Sequence, residues 1–279
     1  MSAPELSPLG KAVNYADHYD PTLLFPIDRR DKRREIGLLE GAPLPFVGED
    51  LWNAYELSWL NPRGKPMVAL GEFRVPADSP CLIESKSLKL YLNSFNQTTL
   101  ASAEAVSESI TRDLSVAAGS HVNVALRSLG EAQIRPIEHP AGTLLDALDI
   151  DIADYEGPNP SLLCTDTTAP VRDETLFSHL LKSNCLVTGQ PDWGMIVVRY
   201  RGHPIDPAGM LRYIVSFRRH NEFHEQCVER VFVDVMRQCA PEQLEVWARY
   251  TRRGGLDINP WRSNQRHVKP PPNFFEGRQ

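Results

Sequence analysis

The sequence predicts an α+β fold made from two copies of one module, each a β-sheet with helices packed on one face. Two observations carry this. Both halves of the chain show the same strand–strand–helix–strand order of hydrophobic patterns. At a constant offset of 122 residues, Leu88, Tyr91, Leu92, Ser94 and Phe95 align with Met210, Tyr213, Ile214, Ser216 and Phe217. Five matches in eight positions can arise along any two amphipathic helices, so it is the shared order of elements that points to an internal duplication. The predicted division is an N-terminal arm over residues 1–50, a first module over 51–145 and a second over 146–279.

The arm is rich in Pro, Asp and Arg, as in Tyr19-Asp-Pro-Thr-Leu-Leu-Phe-Pro26 and Asp28-Arg-Arg-Asp-Lys-Arg-Arg34. It is expected to be extended with few regular elements, its basic run a solvated surface. Residues 51–60 and 66–75 read as strands, the second closed by Pro76. From Ser87 to about Leu114 the helical period of Leu88, Leu92, Phe95 and the Ala-rich stretch after Leu100 predicts one helix. Residues 121–129 read as a strand with Val122, Val124 and Leu126 inward. Pro140, Gly142, Gly157, Pro158 and Pro160 make residues 138–175 a connection. The second half starts with a strand at 194–201, followed by a helix from about Pro207 to Cys239 and a strand from about Leu244 to Thr251. Gly254-Gly255 ends that strand, and a Pro-rich tail closes the chain.

The composition, 42% hydrophobic and 24% charged over 279 residues, is that of a globular protein. No apolar run approaches the ~20 residues that span a bilayer. The start, Met1-Ser-Ala-Pro-Glu-Leu6, lacks the basic and apolar regions of a secretory signal, so a cytoplasmic location is expected. A net charge of −6 with interspersed signs argues against a broad nucleic-acid face, while leaving room for a small basic site for a phosphorylated cofactor. The five cysteines show no Cys-x-x-Cys spacing, so neither a disulfide framework nor a zinc ribbon is indicated.

Four segments carry chemistry. In Asn184-Cys185-Leu-Val-Thr-Gly-Gln-Pro-Asp192-Trp-Gly194, the Gly189-Gln-Pro191 turn can fold Asp192 back toward Cys185. A thiolate is the nucleophilic form of cysteine, and a carboxylate is an unusual neighbour because its charge opposes thiolate formation. A buried carboxyl group can nevertheless take the thiol proton and return it to a developing anion. The plain alternative is a packed thiol at a strand start and a turn aspartate. In Phe217-Arg-Arg-His220-Asn-Glu-Phe-His224-Glu225, the two histidines would share a helix face, a spacing that suits a metal, but no further ligand sits at a zinc-protease position. A polar helix start that places His224 and Glu225 in a cleft is the functional reading, a solvated turn the alternative. In Ile83-Glu84-Ser-Lys-Ser-Leu-Lys89, Ser85 or Ser87 could cap a helix whose N-terminal lysines would favour a phosphate. In Arg252-Arg253-Gly254-Gly255-Leu-Asp257, two cationic forks precede a backbone that a phosphate can approach, or the segment is merely a charged turn.

Together these segments resemble the 7-cyano-7-deazaguanine reductases of the queuosine pathway, in their longer two-module form. The likeness extends to Leu9-Gly-Lys11 and Tyr19-Asp-Pro-x-Leu-Leu24 in the arm. It implies the tunnelling fold, homodimers, a small deazapurine substrate, no direct nucleic-acid partner and NADPH as cofactor. By the same resemblance Cys185 would attack the nitrile carbon to form a thioimide, with Asp192 as proton donor and His224 assisting. Ile83, Glu84, Ser85, His224 and Glu225 would bind the substrate, and Ser85, Lys86, Arg253 and Gly254 the cofactor. No metal is implied. A zinc hydrolase resembling GTP cyclohydrolase I and a non-catalytic purine- or pterin-binding scaffold are the alternative readings.

Overall fold

In the computed structural model, residues 15–130 and 137–279 are described, so Leu9-Gly-Lys11 lies outside them. The chain divides into two compact units. Of the described residues, one takes 15–40, 49–130 and 252–258, the other 41–48, 137–251 and 259–279. Among the described residues, no helix is long and apolar enough to cross a membrane.

In the first unit the elements are β1 (Pro26–Asp28), α1 (Arg29–Glu35), β2 (Val47–Leu60), β3 (Pro66–Pro76), β4 (Cys81–Ile83), α2 (Ser85–Asn93), α3 (Ala103–Ala118) and β5 (Asn123–Arg127). Strands β2, β3 and β5 form an antiparallel set with β3 central, and β1 pairs with β4. Period-two alternation would send Trp52 and Ala54 to one face and Leu57 and Trp59 to the other. A bulge between Ala54 and Leu57 shifts the register, and all four end in one core with Phe73, Leu88, Tyr91, Phe95, Ile110 and Leu114. Burying a large side chain of this kind contributes roughly 1.5–3 kcal/mol.

The second unit repeats this order, with β7 (Arg172–Asn184), β8 (Pro191–Gly202), α4 (Pro207–Ser216), α5 (His224–Cys239) and β9 (Gln243–Tyr250) after a two-residue β6 (Thr143–Leu144). Strand β10 (Leu256–Ser263) closes the list, its last residues antiparallel to β9. Around the tyrosines the same contacts recur at the 122-residue offset, with the accepting aspartates 121 residues apart. In the first unit Tyr91 donates to Asp113 (2.7 Å), Ser94 Oγ donates to the Tyr91 carbonyl (2.6 Å), and Phe95 meets the Tyr91 ring edge-on at 5.3 Å. In the second, Tyr213 donates to Asp234 (2.7 Å), Ser216 Oγ to the Tyr213 carbonyl (2.6 Å), and Phe217 meets Tyr213 at 5.3 Å. The bulge recurs as well, between Ser178 and Leu181 of β7. Met195 and Val197 join Trp247, Trp261 and Phe274 on one face of this sheet, so the alternating residues Ile196 and Val198 face the opposite way, and all four are buried.

Several expectations need correction. The basic run, expected to be a solvated surface, forms α1 with Asp28 as its cap, and its Arg29 is buried against Asp50 at 2.6 Å. The single helix expected over 87–114 is two, α2 and α3, and the one expected over 207–239 is α4 and α5 with a 3-10 turn at Phe217–Arg219 between them. Residues 172–175, read as connection, begin β7. The chain after Gly255, read as tail, first forms β10, in which the polar residues are buried with partners: Arg262 donates to Glu229 at 2.9 and 3.1 Å.

Candidate active site

The β7 bulge decides where Cys185 points. Before it, Leu176 and Ser178 pair with Val198 and Ile196; after it, Leu181 and Ser183 pair with Gly194 and Asp192. Unbroken alternation would have put residue 184 on the face of Asp192. The extra residue puts Ser183 and Cys185 there instead. Cys185 donates its N–H to the Gln190 carbonyl (2.8 Å) and accepts from Gly189 N–H (3.0 Å), with Gly189 at φ +66° closing the loop. Cys185 follows Asn184, the last paired residue of β7, and one further step of the alternation, along its bond to Gln190, carries it to the face of Asp192. Both are nearly buried, at 5% and 4% exposure.

Helix α5 begins at His224 and brings a third group. His224 Nε2 lies 3.3 Å from Asp192 Oδ2 without forming a hydrogen bond. The His224 ring lies over Tyr250 of β9 at 4.0 Å, which fixes its plane. Glu225, next in the helix, is buried where a helix N-terminus favours an anion. Behind them sits Cys227, whose thiol burial pushes well above its ordinary value; the Glu222 charge adds to this, and Ser183 and Tyr250 oppose it only in part. Cys227 is therefore an inert thiol. His220 precedes α5 and shares no helix face with His224, contrary to the expectation. No group of three His, Cys, Asp or Glu residues able to hold a metal occurs among the described residues.

In the first unit, Glu84 rather than Ser85 or Ser87 caps α2: Oε1 accepts from Lys86 N–H and Oε2 from Ser87 N–H, both at 2.8 Å. Burial raises the Glu84 pKa, and the two backbone bonds partly oppose it. A carboxylate has about four lone-pair sites, and with Oε1 also accepting from Ser85 Oγ at 3.4 Å, it is Oε2 that can accept one more N–H while capping. Ile83, also buried, ends β4 beside it.

Arg253 and Leu256 exchange backbone bonds of 2.8 and 3.1 Å around Gly254 and Gly255, at φ +58° and +79°, a tight turn that only glycines adopt without strain. Tyr55 N–H donates to the Gly255 carbonyl (3.0 Å), and the Arg252 guanidinium lies 3.8 Å over the Tyr55 ring. A Cβ on Gly254 would meet Lys89 Nζ at 2.9 Å, and one on Gly255 would meet Glu56 Cδ at 2.3 Å. Glu56, Lys89, Asn93 and both glycines line a shallow cavity. The Lys89 contact brings the α2 helix carrying Ser85 and Lys86 against the turn carrying Arg253 and Gly254.

The structure thus groups Cys185, Asp192, His224 and Glu225 in one unit, and Ile83, Glu84, Ser85, Lys86, Arg253 and Gly254 in the other. The sequence brought out Lys89 and the segment that holds Glu222, but not Tyr250 or the pairing of Glu222 with Arg230. Lys89 was readable in the α2 segment, whereas Tyr250 lies in an unremarkable strand.

Residues 15–126 match the family model described as nitrile reductase, 7-cyano-7-deazaguanine-reductase N-term, and residues 191–269 match that of QueF-like protein. An NADPH-dependent 7-cyano-7-deazaguanine reductase from Aromatoleum aromaticum is 62% identical over 99% of this chain and 96% of its own. Proteins of the same name from Dechloromonas aromatica and Azoarcus sp. are 64% and 65% identical, over 95% and 94% of this chain and 92% of each relative. Among solved structures, an archaeosine synthase QueF-Like in the apo form matches 34% of this chain and 94% of its own at 14% identity, with a TM-score of 0.30. With identity above 60% along nearly its whole length, this chain belongs to the NADPH-dependent 7-cyano-7-deazaguanine reductase family.

Proposed function

We propose that this chain reduces the nitrile of 7-cyano-7-deazaguanine to the primary amine with NADPH, through a covalent thioimide on Cys185. The observation that carries the chemistry is the bulged hairpin that sets Cys185 and Asp192 on one face, with His224 3.3 Å from the carboxylate.

A nitrile carbon is electrophilic but resists direct hydride attack under mild conditions. Addition of the Cys185 sulfur splits the reduction into steps with lower barriers. The S–H proton passes to Asp192, the sulfur–carbon bond forms, and Asp192 returns the proton to the nitrile nitrogen, leaving a neutral thioimide. His224, packed on the Tyr250 ring at a tilt of 36°, steadies the carboxylate and supplies a second proton relay. Burial of Cys185 and Asp192 keeps water from hydrolysing the intermediate. Each bound NADPH supplies one hydride, and two are needed because the conversion takes four electrons.

Glu84, beside Ile83 and Ser85 in one unit, and Glu225, beside His224 in the other, are each a buried carboxylate suited to accept the N–H groups of a guanine-like ring. Buried acceptors of this kind reject analogues that lack the donors. The positive-φ glycine turn and its surrounding cations fit an anionic cofactor: Ser85, Lys86, Arg253 and Gly254 would hold NADPH. The recurring β–β–α–α–β order with matching Tyr–Asp pairs supports reading the units as two tunnelling-fold modules. We further assign a cytoplasmic location, a homodimer and no direct nucleic-acid partner.

The test is stoichiometry. Purified protein given limiting nitrile should oxidise two NADPH per amine formed, and Cys185→Ala none. One NADPH per nitrile, or turnover by Cys185→Ala, would refute the reading.

A further inference from the structure

Glu222 lies inside the His220–Glu225 motif, is 2% exposed, and has no part in the steps above. Its segment grips the residue before the nucleophile. Asn184 donates its N–H to the His220 carbonyl (2.8 Å), and Glu222 donates its N–H to the Asn184 carbonyl (3.0 Å). Asn184 Nδ2 also donates to Asn221 Oδ1 (3.0 Å). Residues 220–222 therefore act as a one-bridge parallel strand laid along the last residue of β7.

The Glu222 side chain ties this clamp to α5. Its carboxylate accepts from Arg230 Nη2 at 2.6 Å and from Arg230 Nε at 3.1 Å on each oxygen, and His220 Nε2 lies 3.3 Å away. Arg230 belongs to the helix that opens with His224 and Glu225. A buried ion pair is seldom more stabilising than apolar residues of equal size, so stability alone is a poor account of it. Its planar, forked geometry fixes direction, which apolar packing does not.

We infer that Glu222 and Arg230 are a positioning pair, locking the strand end that carries Cys185 to the helix that carries His224. This rests on the proposed role of Cys185. Neither residue touches substrate in this account; they act through Asn184. A displacement on the order of 1 Å at a nucleophile can slow its reaction about 10²-fold, so loosening the clamp should be felt at the sulfur.

The test uses Arg230→Lys, which keeps the charge but loses the fork, and Glu222→Met/Arg230→Met, which replaces the pair by apolar groups of similar bulk. Intact-mass kinetics follow adduct formation from the nitrile without NADPH, over a range of nitrile concentrations, with thermal midpoints measured in parallel. Amide exchange of a peptide covering residues 183–190 is the second readout. The expected result is an adduct rate at saturating nitrile lower by about tenfold or more, with half-saturation changed less than about twofold, and faster exchange at 183–190. If the double variant does not fold, Arg230→Lys and the exchange measurement decide. A folded variant that forms adduct at the wild-type rate overturns the inference and leaves the function standing. Wild-type protein that forms no adduct overturns the proposed function and this inference with it.

Discussion

Replacing Glu84 by Gln should both loosen α2 and weaken substrate binding, because the carboxylate has two jobs. Its two oxygens each accept one helix N–H at 2.8 Å. Glutamine offers one oxygen and one NH2 group, so one of these donors must face another donor. The loss of a charge-assisted bond costs about 1.5–3 kcal/mol, and the buried N–H left unmet adds to it. Against this, the variant no longer buries a carboxylate, whose raised pKa records the cost of that burial. The net expectation is about 1–2 kcal/mol. At roughly 2–4 °C per kcal/mol, this lowers the thermal midpoint by about 2–8 °C. Nitrile binding, measured in a Cys185→Ala background so that no covalent step intervenes, should weaken about 10- to 100-fold from the lost ring acceptor. An unchanged midpoint would refute the cap assignment. Unchanged affinity would refute the acceptor role.

Three further outcomes are expected. Asp192→Ala should slow adduct formation or reduction by about 10²-fold or more while still binding nitrile, and wild-type rates in stopped-flow traces would remove its proton role. Gly255→Ala should cost about 1–2 kcal/mol for a non-glycine at φ +79° and displace Glu56 from the turn, weakening NADPH binding while nitrile binding holds; unaltered NADPH affinity would mean the cofactor lies elsewhere. Burial opposes ionisation of Glu222, but the nearby His220 and the hydrogen-bonded Arg230 guanidinium outweigh it and hold the carboxyl below its usual 4.5. A depressed folded value means stability that is present above pH 4.5 and lost as pH falls through the lowered value. The urea-unfolding gap between wild type and Glu222→Gln should therefore be level above that pH and close below it, and a gap that widens on acidification would contradict the ion pair.

The 122-residue repeat was legible because Leu88, Tyr91, Ser94 and Phe95 serve one buried arrangement that Met210, Tyr213, Ser216 and Phe217 rebuild. Strand β7 was not, because its bulge breaks the alternation that announces a strand, its start is charged at Arg172 and Asp173, and Leu180 is exposed. The breaks after α2 and α4 escaped because apolar spacing continues through Phe95 and Phe217 with no Gly or Pro to mark the end. Strand β10 was hidden by its own polarity: Asp257 is polar yet buried, bonded by Asn53 at 2.7 Å, and Arg262 is likewise buried on Glu229. Within the site, the turn between Cys185 and Asp192 was readable from Gly189 and Pro191, whereas the bulge that sets the register of β7 left no mark in the sequence. The capping role of Glu84 could not be guessed from propensity, because glutamate is a poor choice for that position.

The central claim is a bond between Cys185 and the nitrile carbon, and intact mass tests it most directly. Protein mixed with 7-cyano-7-deazaguanine in the absence of NADPH should gain the mass of one whole substrate molecule, located by peptide mapping at Cys185. The gain should be absent in Cys185→Ala. No mass change in wild-type protein that turns over normally with NADPH, or the same gain in the alanine variant, would contradict the account.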